Sequence, residues 1–226
     1  MKIENVIIVD DHDLILHGIE NALLQFRPEI NITLKKNCDD AFNQIKNVFK
    51  LNNKFDLLIT DLSFDDLNYS VNLKSGEELI QEIRNQNIPI KIIVTTRHNE
   101  TGKIVTIIDN FEPDGYILKS NYSSLEICQA IEHIEQYSKF YSHEVHIKLR
   151  NRIMVDKEID NADIVILKLL PEAETVDSMV GKVLKPGGRP FSKRTIEYRL
   201  EKLKDKLEAV NNTDLFLKAK ELGIIK

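Results

Sequence analysis

No apolar run in the chain approaches the roughly 20 residues that a bilayer-spanning helix needs. The N-terminus enters an apolar strand pattern at once, without the charged and small-residue sections of a secretory leader. Cysteine is scarce. Cys38 and Cys128 lie far apart with no metal-ligand spacing, which points to buried thiols rather than a disulfide or a zinc site. A strongly basic balance is also lacking, since 31 Lys and Arg face 36 Asp and Glu for a net charge of −5 over 226 residues. These absences lead us to expect a cytoplasmic protein with no membrane segment. The charge is unevenly shared. Residues 1–150 carry 16 Lys and Arg against 23 Asp and Glu, a net −7, and residues 151–226 carry 15 against 13, a net +2. An acidic front and a mildly basic back fit two domains with different partners.

What is present is a set of short apolar runs, each ending in a residue with chemistry to offer. Val6-Ile7-Ile8-Val9 ends in Asp10 and Asp11, and Leu57-Leu58-Ile59-Thr60 ends in Asp61. Ile92-Ile93-Val94 ends in Thr95 and Thr96, and Gly115-Tyr116-Ile117-Leu118 ends in Lys119. Runs of this length read as buried strands. Between them apolar residues recur at helical spacing, as in Leu14, Ile15, Ile19, Ala22, Leu23 and Phe26, or Ala41, Phe42, Ile45, Val48 and Phe49. The strand-helix alternation repeats five times in residues 1–138. It predicts a doubly wound, five-stranded parallel sheet built from right-handed crossovers. Such sheets bind ligands at the carboxyl edge of their strands, where these residues would gather.

Residues 139–160 lose periodicity and read as a linker or a short connecting helix. From Asn161 onward only helix is signalled, in a small all-α module over residues 161–226. One short helix carries Ile164, Leu167 and Leu170. A second is expected over Thr175–Leu184, followed by a turn-rich break from Lys185 to Pro190. Ser192 then caps a third helix with Ile196, Leu200, Leu203 and Leu207 inward, and a fourth starts at Thr213 or Asp214 and stops at Gly223.

Three converging carboxylates repel one another, and a hard divalent cation such as Mg²⁺ relieves that repulsion through oxygen ligands. A Lys ammonium and a Thr hydroxyl can donate to phosphoryl oxygens. A carboxylate nucleophile, a metal, an ammonium and a hydroxyl together suit in-line phosphoryl transfer to an aspartate.

The segments Ile7-Ile-Val-Asp-Asp-His-Asp13, Leu58-Ile-Thr-Asp-Leu62, Ile92-Ile-Val-Thr-Thr-Arg-His98 and Asp114-Gly-Tyr-Ile-Leu-Lys-Ser120 resemble the receiver domain of bacterial two-component response regulators. The resemblance covers residues 1–138. It implies that Asp61 accepts a phosphoryl group from a phosphohistidine of a sensor histidine kinase. Asp10, Asp11, Asp61 and the Ser63 carbonyl would hold Mg²⁺. Thr96 would be the hydroxyl that turns toward the phosphoryl group, with Tyr116 following it inward. The six histidines show no pairing that suggests metal or catalysis and read as structural or surface residues. The stretch from Ser63 to Ser75 departs from the family by roughly eight extra residues, and reads as a tolerated surface insertion.

Ser192-Lys-Arg-Thr-Ile-Glu-Tyr-Arg-Leu-Glu-Lys-Leu-Lys-Asp-Lys-Leu207 resembles the recognition helix of a LuxR-type helix-turn-helix output domain. The resemblance implies DNA binding, with Lys193, Arg194, Arg199 and Lys202 on phosphates and Tyr198 at a base edge. Lys185 and Arg189 would form a small basic wing or merely a longer connection. Glu197 and Glu201 fall on the outward face, where relatives carry basic or small residues. The whole reads as a response regulator that forms a homodimer when active. Two other classes stay open. One is a receiver whose output module binds protein. The other is an aspartate-nucleophile phosphatase of the haloacid-dehalogenase type, although Ser63 stands where that family places a second Asp.

Overall fold

The computed structural model describes residues 2–64, 72–120, 123–137, 139–173 and 175–225. The chain divides into two compact units, residues 1–99 with 106–146, and residues 100–105 with 147–226.

The first unit alternates strand and helix as the apolar spacing requires, with the first turn of one helix, α4 (Thr101–Phe111), assigned to the second unit. Its elements are β1 (Asn5–Val9), α1 (Asp13–Phe26), β2 (Asn31–Lys35), α2 (Cys38–Lys50), β3 (Leu57–Thr60), α3 (Gly76–Asn85), β4 (Lys91–Thr96), α4 (Thr101–Phe111), β5 (Gly115–Leu118), α5 (Ser123–Gln136) and β6 (Phe140–Tyr141). The sheet order is β2-β1-β3-β4-β5-β6, parallel throughout. The expected five strands are therefore six. Phe140 N–H donates to the Asp114 carbonyl at 2.8 Å and Ser142 N–H to the Tyr116 carbonyl at 3.0 Å, which adds β6 to the far edge. Two residues are too few for an alternating pattern to register in the sequence. The stretch 139–160, read as a linker or a short connecting helix, holds β6 and all of α6 (His143–Asp156). Val145 is the buried residue of α6, so that helix carries almost no periodic signal.

Strand residues alternate between two covered faces, as parallel sheets demand. Val6, Ile8, Leu57, Ile59, Ile93 and Ile117 pack with Leu16, Ile19 and Leu23 of α1 and Ile127, Ile131 and Ile134 of α5. The alternate set, Ile7, Leu58, Ile92 and Val94, is buried on the other face, where α2 and α3 contribute Ala41, Ile45, Leu79, Ile80 and Ile83. Carboxylates pin the amino ends of the strands. Asp56 accepts from the N–H groups of Glu4 and Asn5 at 3.1 and 3.0 Å. Burial would raise the Asp56 pKa, but these N–H groups and Lys54 outweigh it and hold the carboxyl below its usual range. Asp114 does the same for β4, accepting from Ile92 N–H at 2.9 Å and the Lys91 ammonium at 2.7 Å. Chemically busy residues thus stand at both ends of the sheet.

The second unit contains α7 (Asn161–Leu169), a 3-10 turn (Val176–Met179), α8 (Lys193–Lys206) and α9 (Asn212–Glu221). Ile166, Leu167, Met179, Val183, Ile196, Leu200, Leu203 and Leu215 form its core. The helix expected over 175–184 is the 3-10 turn alone. Val180 is already extended, and Gly181, at φ +90°, follows it and lets Val183 turn back into the core. Ser192 caps α8 by accepting from Thr195 N–H, as its position suggests. The stretch before it is a tight hairpin. Leu184 bridges Pro190, and Lys185 N–H reaches the Arg189 carbonyl at 2.8 Å across Gly187 and Gly188, both at positive φ.

Candidate functional site

The carboxyl ends of β1, β3, β4 and β5 converge. Lys119 Nζ donates to Asp10 Oδ2 at 2.7 Å and also to Asp61 Oδ2. Residues from three separate strands therefore meet at one ammonium. Asp10 and Asp61 are buried at 1% and 6% exposure, and the Lys119 side chain is 10% exposed. Buried charge persists only when it is compensated. Asp61 Oδ1 also accepts from the Leu62 and Ser63 N–H groups at 2.6 and 3.3 Å, which fixes the carboxylate plane. Asp10 Oδ1 accepts from His12 N–H at 2.9 Å.

A cleft of about 380 Å³ opens on Asp61, lined by His12, Ser63, Thr96, Arg97, His98 and Lys119. Period-two alternation separates the two threonines. Thr96 lines this cleft, whereas Thr95 lines a smaller cavity beside Leu14 and Ile127, with its Oγ1 3.4 Å from the Thr60 carbonyl. Thr96 Oγ1 accepts from His98 N–H at 3.1 Å, so its hydroxyl proton remains available for donation. Tyr116 is fully buried on β5.

The site is held together by a glycine. A Cβ on Gly76 would lie 1.9 Å from the Asp61 carbonyl oxygen. Gly76 N–H donates to the Leu62 carbonyl at 3.0 Å, and Ser63 bridges Ser75. The start of α3 thus clamps the loop that follows Asp61. Asp65 and Asp66 of the inserted loop lie outside the described residues.

Two histidines assigned to structural or surface roles belong to the site. His98 Nε2 and Ser63 Oγ are 2.8 Å apart at the cleft rim. His12 Nδ1 lies 2.7 Å from Asp11 Oδ1, and that hydrogen bond raises the imidazole pKa. Each follows a strand end by two or three residues, yet a lone His there carries no distinctive sequence signal. Ligand atoms of Asp10, Asp11 and His12 lie within 4.8 Å of one another. Mg²⁺ prefers oxygen donors, so the carboxylates are the ligands that fit it. Three carboxylates against one ammonium leave negative charge for a cation to offset.

In the second unit the outward face of α8 carries Lys193, Arg194, Glu197, Tyr198, Glu201 and Lys202, all exposed. Arg199 is not among them. Its Nη1 donates to Asp160 at 2.9 and 3.0 Å and to Asp163 at 2.7 Å, the two residues of the capping box that starts α7. The guanidinium also lies 4.9 Å from the Phe191 ring centroid. Lys193 bonds Asp177 at 2.5 Å. Arg189 is exposed on the hairpin.

Residues 6–132 match the family profile of the response regulator receiver domain. The transcriptional regulatory protein RcsB of Escherichia coli K12 is 28% identical over 183 residues, covering 79% of each chain. A structure of two RcsB dimers bound to two parallel DNAs superposes with a TM-score of 0.63 at 26% identity, over 96% of this chain and 98% of that one. The isolated receiver domain of RcsB from Salmonella enterica serovar Typhimurium, solved with the phosphomimetic BeF₃⁻, superposes at 0.53 and 28% identity over 63% of this chain and 96% of its own.

Proposed function

The chain belongs to the response regulator receiver family, and we propose that phosphorylation of Asp61 controls DNA binding by the helical output module. In this reading the receiver spans residues 1–138 and the output module 161–226, with 139–160 between them. The protein acts in the cytoplasm with a sensor histidine kinase. The Asp61 carboxylate attacks the phosphorus of a phosphohistidine, the P–N bond breaks and the imidazole leaves. Asp10, Asp11, Asp61 and the Ser63 carbonyl would hold Mg²⁺, which when bound neutralises charge on the phosphoryl oxygens. Lys119 donates to one of those oxygens and Thr96 to another, and Tyr116 occupies the inward position that accompanies the turn of Thr96.

The observation that carries this reading is the shared contact of Lys119 with Asp10 and Asp61. Catalysis of phosphoryl transfer is mostly positioning and charge neutralisation, and this contact pre-positions both. Phosphorylation would bias a pre-existing equilibrium toward a homodimer, placing two α8 helices about 34 Å apart on a two-fold operator. The likeness to RcsB dimers on DNA supports that arrangement. Asp61→Asn is expected to abolish labelling by a radiolabelled small phosphodonor with Mg²⁺. Acid-labile, hydroxylamine-sensitive phosphate persisting in the variant overturns the assignment.

A further inference from the structure

The polar side chains on the outward face of α8 are not equally available. Lys193 is engaged by Asp177, Glu201 by Lys204 at 2.6 Å, and Lys202 rests over the Tyr198 ring at 5.9 Å. Arg199 is withdrawn into the α7 capping box. Among the described residues, the side chains of Arg194 and Glu197 carry no hydrogen bond or ion pair. Both lie in the N-terminal half of the helix and are three residues apart, on neighbouring ground of one face.

We propose, resting on the DNA-binding reading above, that Glu197 determines base specificity by accepting a hydrogen bond from the N4 amino group of a cytosine in the major groove.

In a helix-turn-helix module the N-terminal part of the second helix meets base edges. A carboxylate held against phosphates costs affinity, so it gains only where it meets a donor. Guanine presents two acceptors to the major groove, thymine an acceptor and a methyl group, and adenine a donor beside its N7 acceptor. Cytosine alone presents a donor with no acceptor on the same edge. Arg194, a residue on the same face, supplies the phosphate contact that offsets the added negative charge. Tyr198, 62% exposed beside Glu197, adds apolar contact in the same groove. Glu197 is therefore a specificity residue, not a source of affinity.

The test uses the full chain with beryllofluoride and Mg²⁺, incubated with a randomised duplex library whose bound fraction is sequenced. The wild-type chain is expected to enrich a cytosine at one fixed position of each half-site. Glu197→Gln, whose amide both donates and accepts, should move that position toward adenine, and Glu197→Ala should lose roughly tenfold discrimination there while other positions hold. If both variants bind every sequence more tightly with an unchanged base preference, Glu197 merely faces the backbone and the inference falls while DNA binding stands. If the wild-type chain enriches no sequence, the DNA-binding reading falls and takes the inference with it.

Discussion

Replacing Gly76 by Ala should disable the proposed phosphoacceptor, Asp61, while leaving every side chain of the site unchanged. The added Cβ would stand 1.9 Å from the Asp61 carbonyl oxygen and 2.9 Å from its carbon, both backbone atoms with no rotamer to escape through. An ordinary contact needs about 1.5 Å more, and interiors do not yield that much without breaking something. The restraints that must give are Asp61 N–H to Val9 at 3.1 Å and Gly76 N–H to Leu62 at 3.0 Å. Losing both costs about 2 kcal/mol net, to which overpacking adds about 1–2 kcal/mol. Alanine returns up to about 1 kcal/mol in helix propensity. We expect a net destabilisation of about 2 kcal/mol, read from the urea midpoint, and a labelling rate at Asp61 about 100-fold lower, since misplacement by an ångström has that effect. Gly18→Ala is the control. Nothing lies within 4 Å of its added Cβ in the middle of α1, so it should stabilise by up to about 1 kcal/mol and label normally. A Gly76→Ala protein that melts and labels like the parent would refute the clamp.

Lys119→Met leaves two buried carboxylates without their ammonium, and should cost about 3–5 kcal/mol in chelator; a loss below about 1 kcal/mol would mean that the contact is incidental. Glu135 receives a two-pronged ion pair from Arg27 at 2.7 and 3.0 Å, which holds its carboxyl below the usual range. A lowered folded-state pKa contributes stability above the unfolded value, about 4.3, and loses it as pH falls through the folded one. Glu135→Gln should thus cost about 1–3 kcal/mol at pH 7 and less at pH 3.5, and an equal cost at both would exclude the pair as its source. Arg199→Met should lower output-module stability by about 1–3 kcal/mol and leave the salt slope of DNA binding unchanged, whereas Arg194→Ala should reduce that slope by about one. The reverse pattern would place Arg199, not Arg194, on the phosphates.

The carboxyl edge of the sheet was readable from sequence because parallel strands buried on both faces are apolar throughout, so Asp10, Asp61 and Lys119 mark their ends sharply. The other features depend on contacts that periodicity does not encode. β6 is two residues long, α6 buries one side chain well, and the 3-10 turn ends where Val180 turns extended, ahead of Gly181 at positive φ. His98 joins Ser63 across 35 residues, and no local pattern forecasts such a pair. Arg199 follows the exposed-cation pattern of its neighbours on α8. Its role is set by Asp160 and Asp163, which as a helix cap already have a local explanation.

The segment read from the sequence as an insertion after Asp61 is anchored at both of its ends. Extra residues would disturb the Ser63 carbonyl if the loop were anchored only at Asp61. Here the base is closed where Ser63 bridges Ser75, directly before the Gly76 clamp. Asn72 and Leu73 are held separately, their N–H groups donating to Asp39 in the first turn of α2 at 2.8 and 3.1 Å. With both ends fixed, added length costs only the slowly rising entropy of a closed loop, about 0.6 kcal/mol per doubling. Ser63 and Asp61 are therefore positioned by contacts that do not depend on loop length. The segment between these anchors can vary in length while the proposed phosphoacceptor site keeps its geometry.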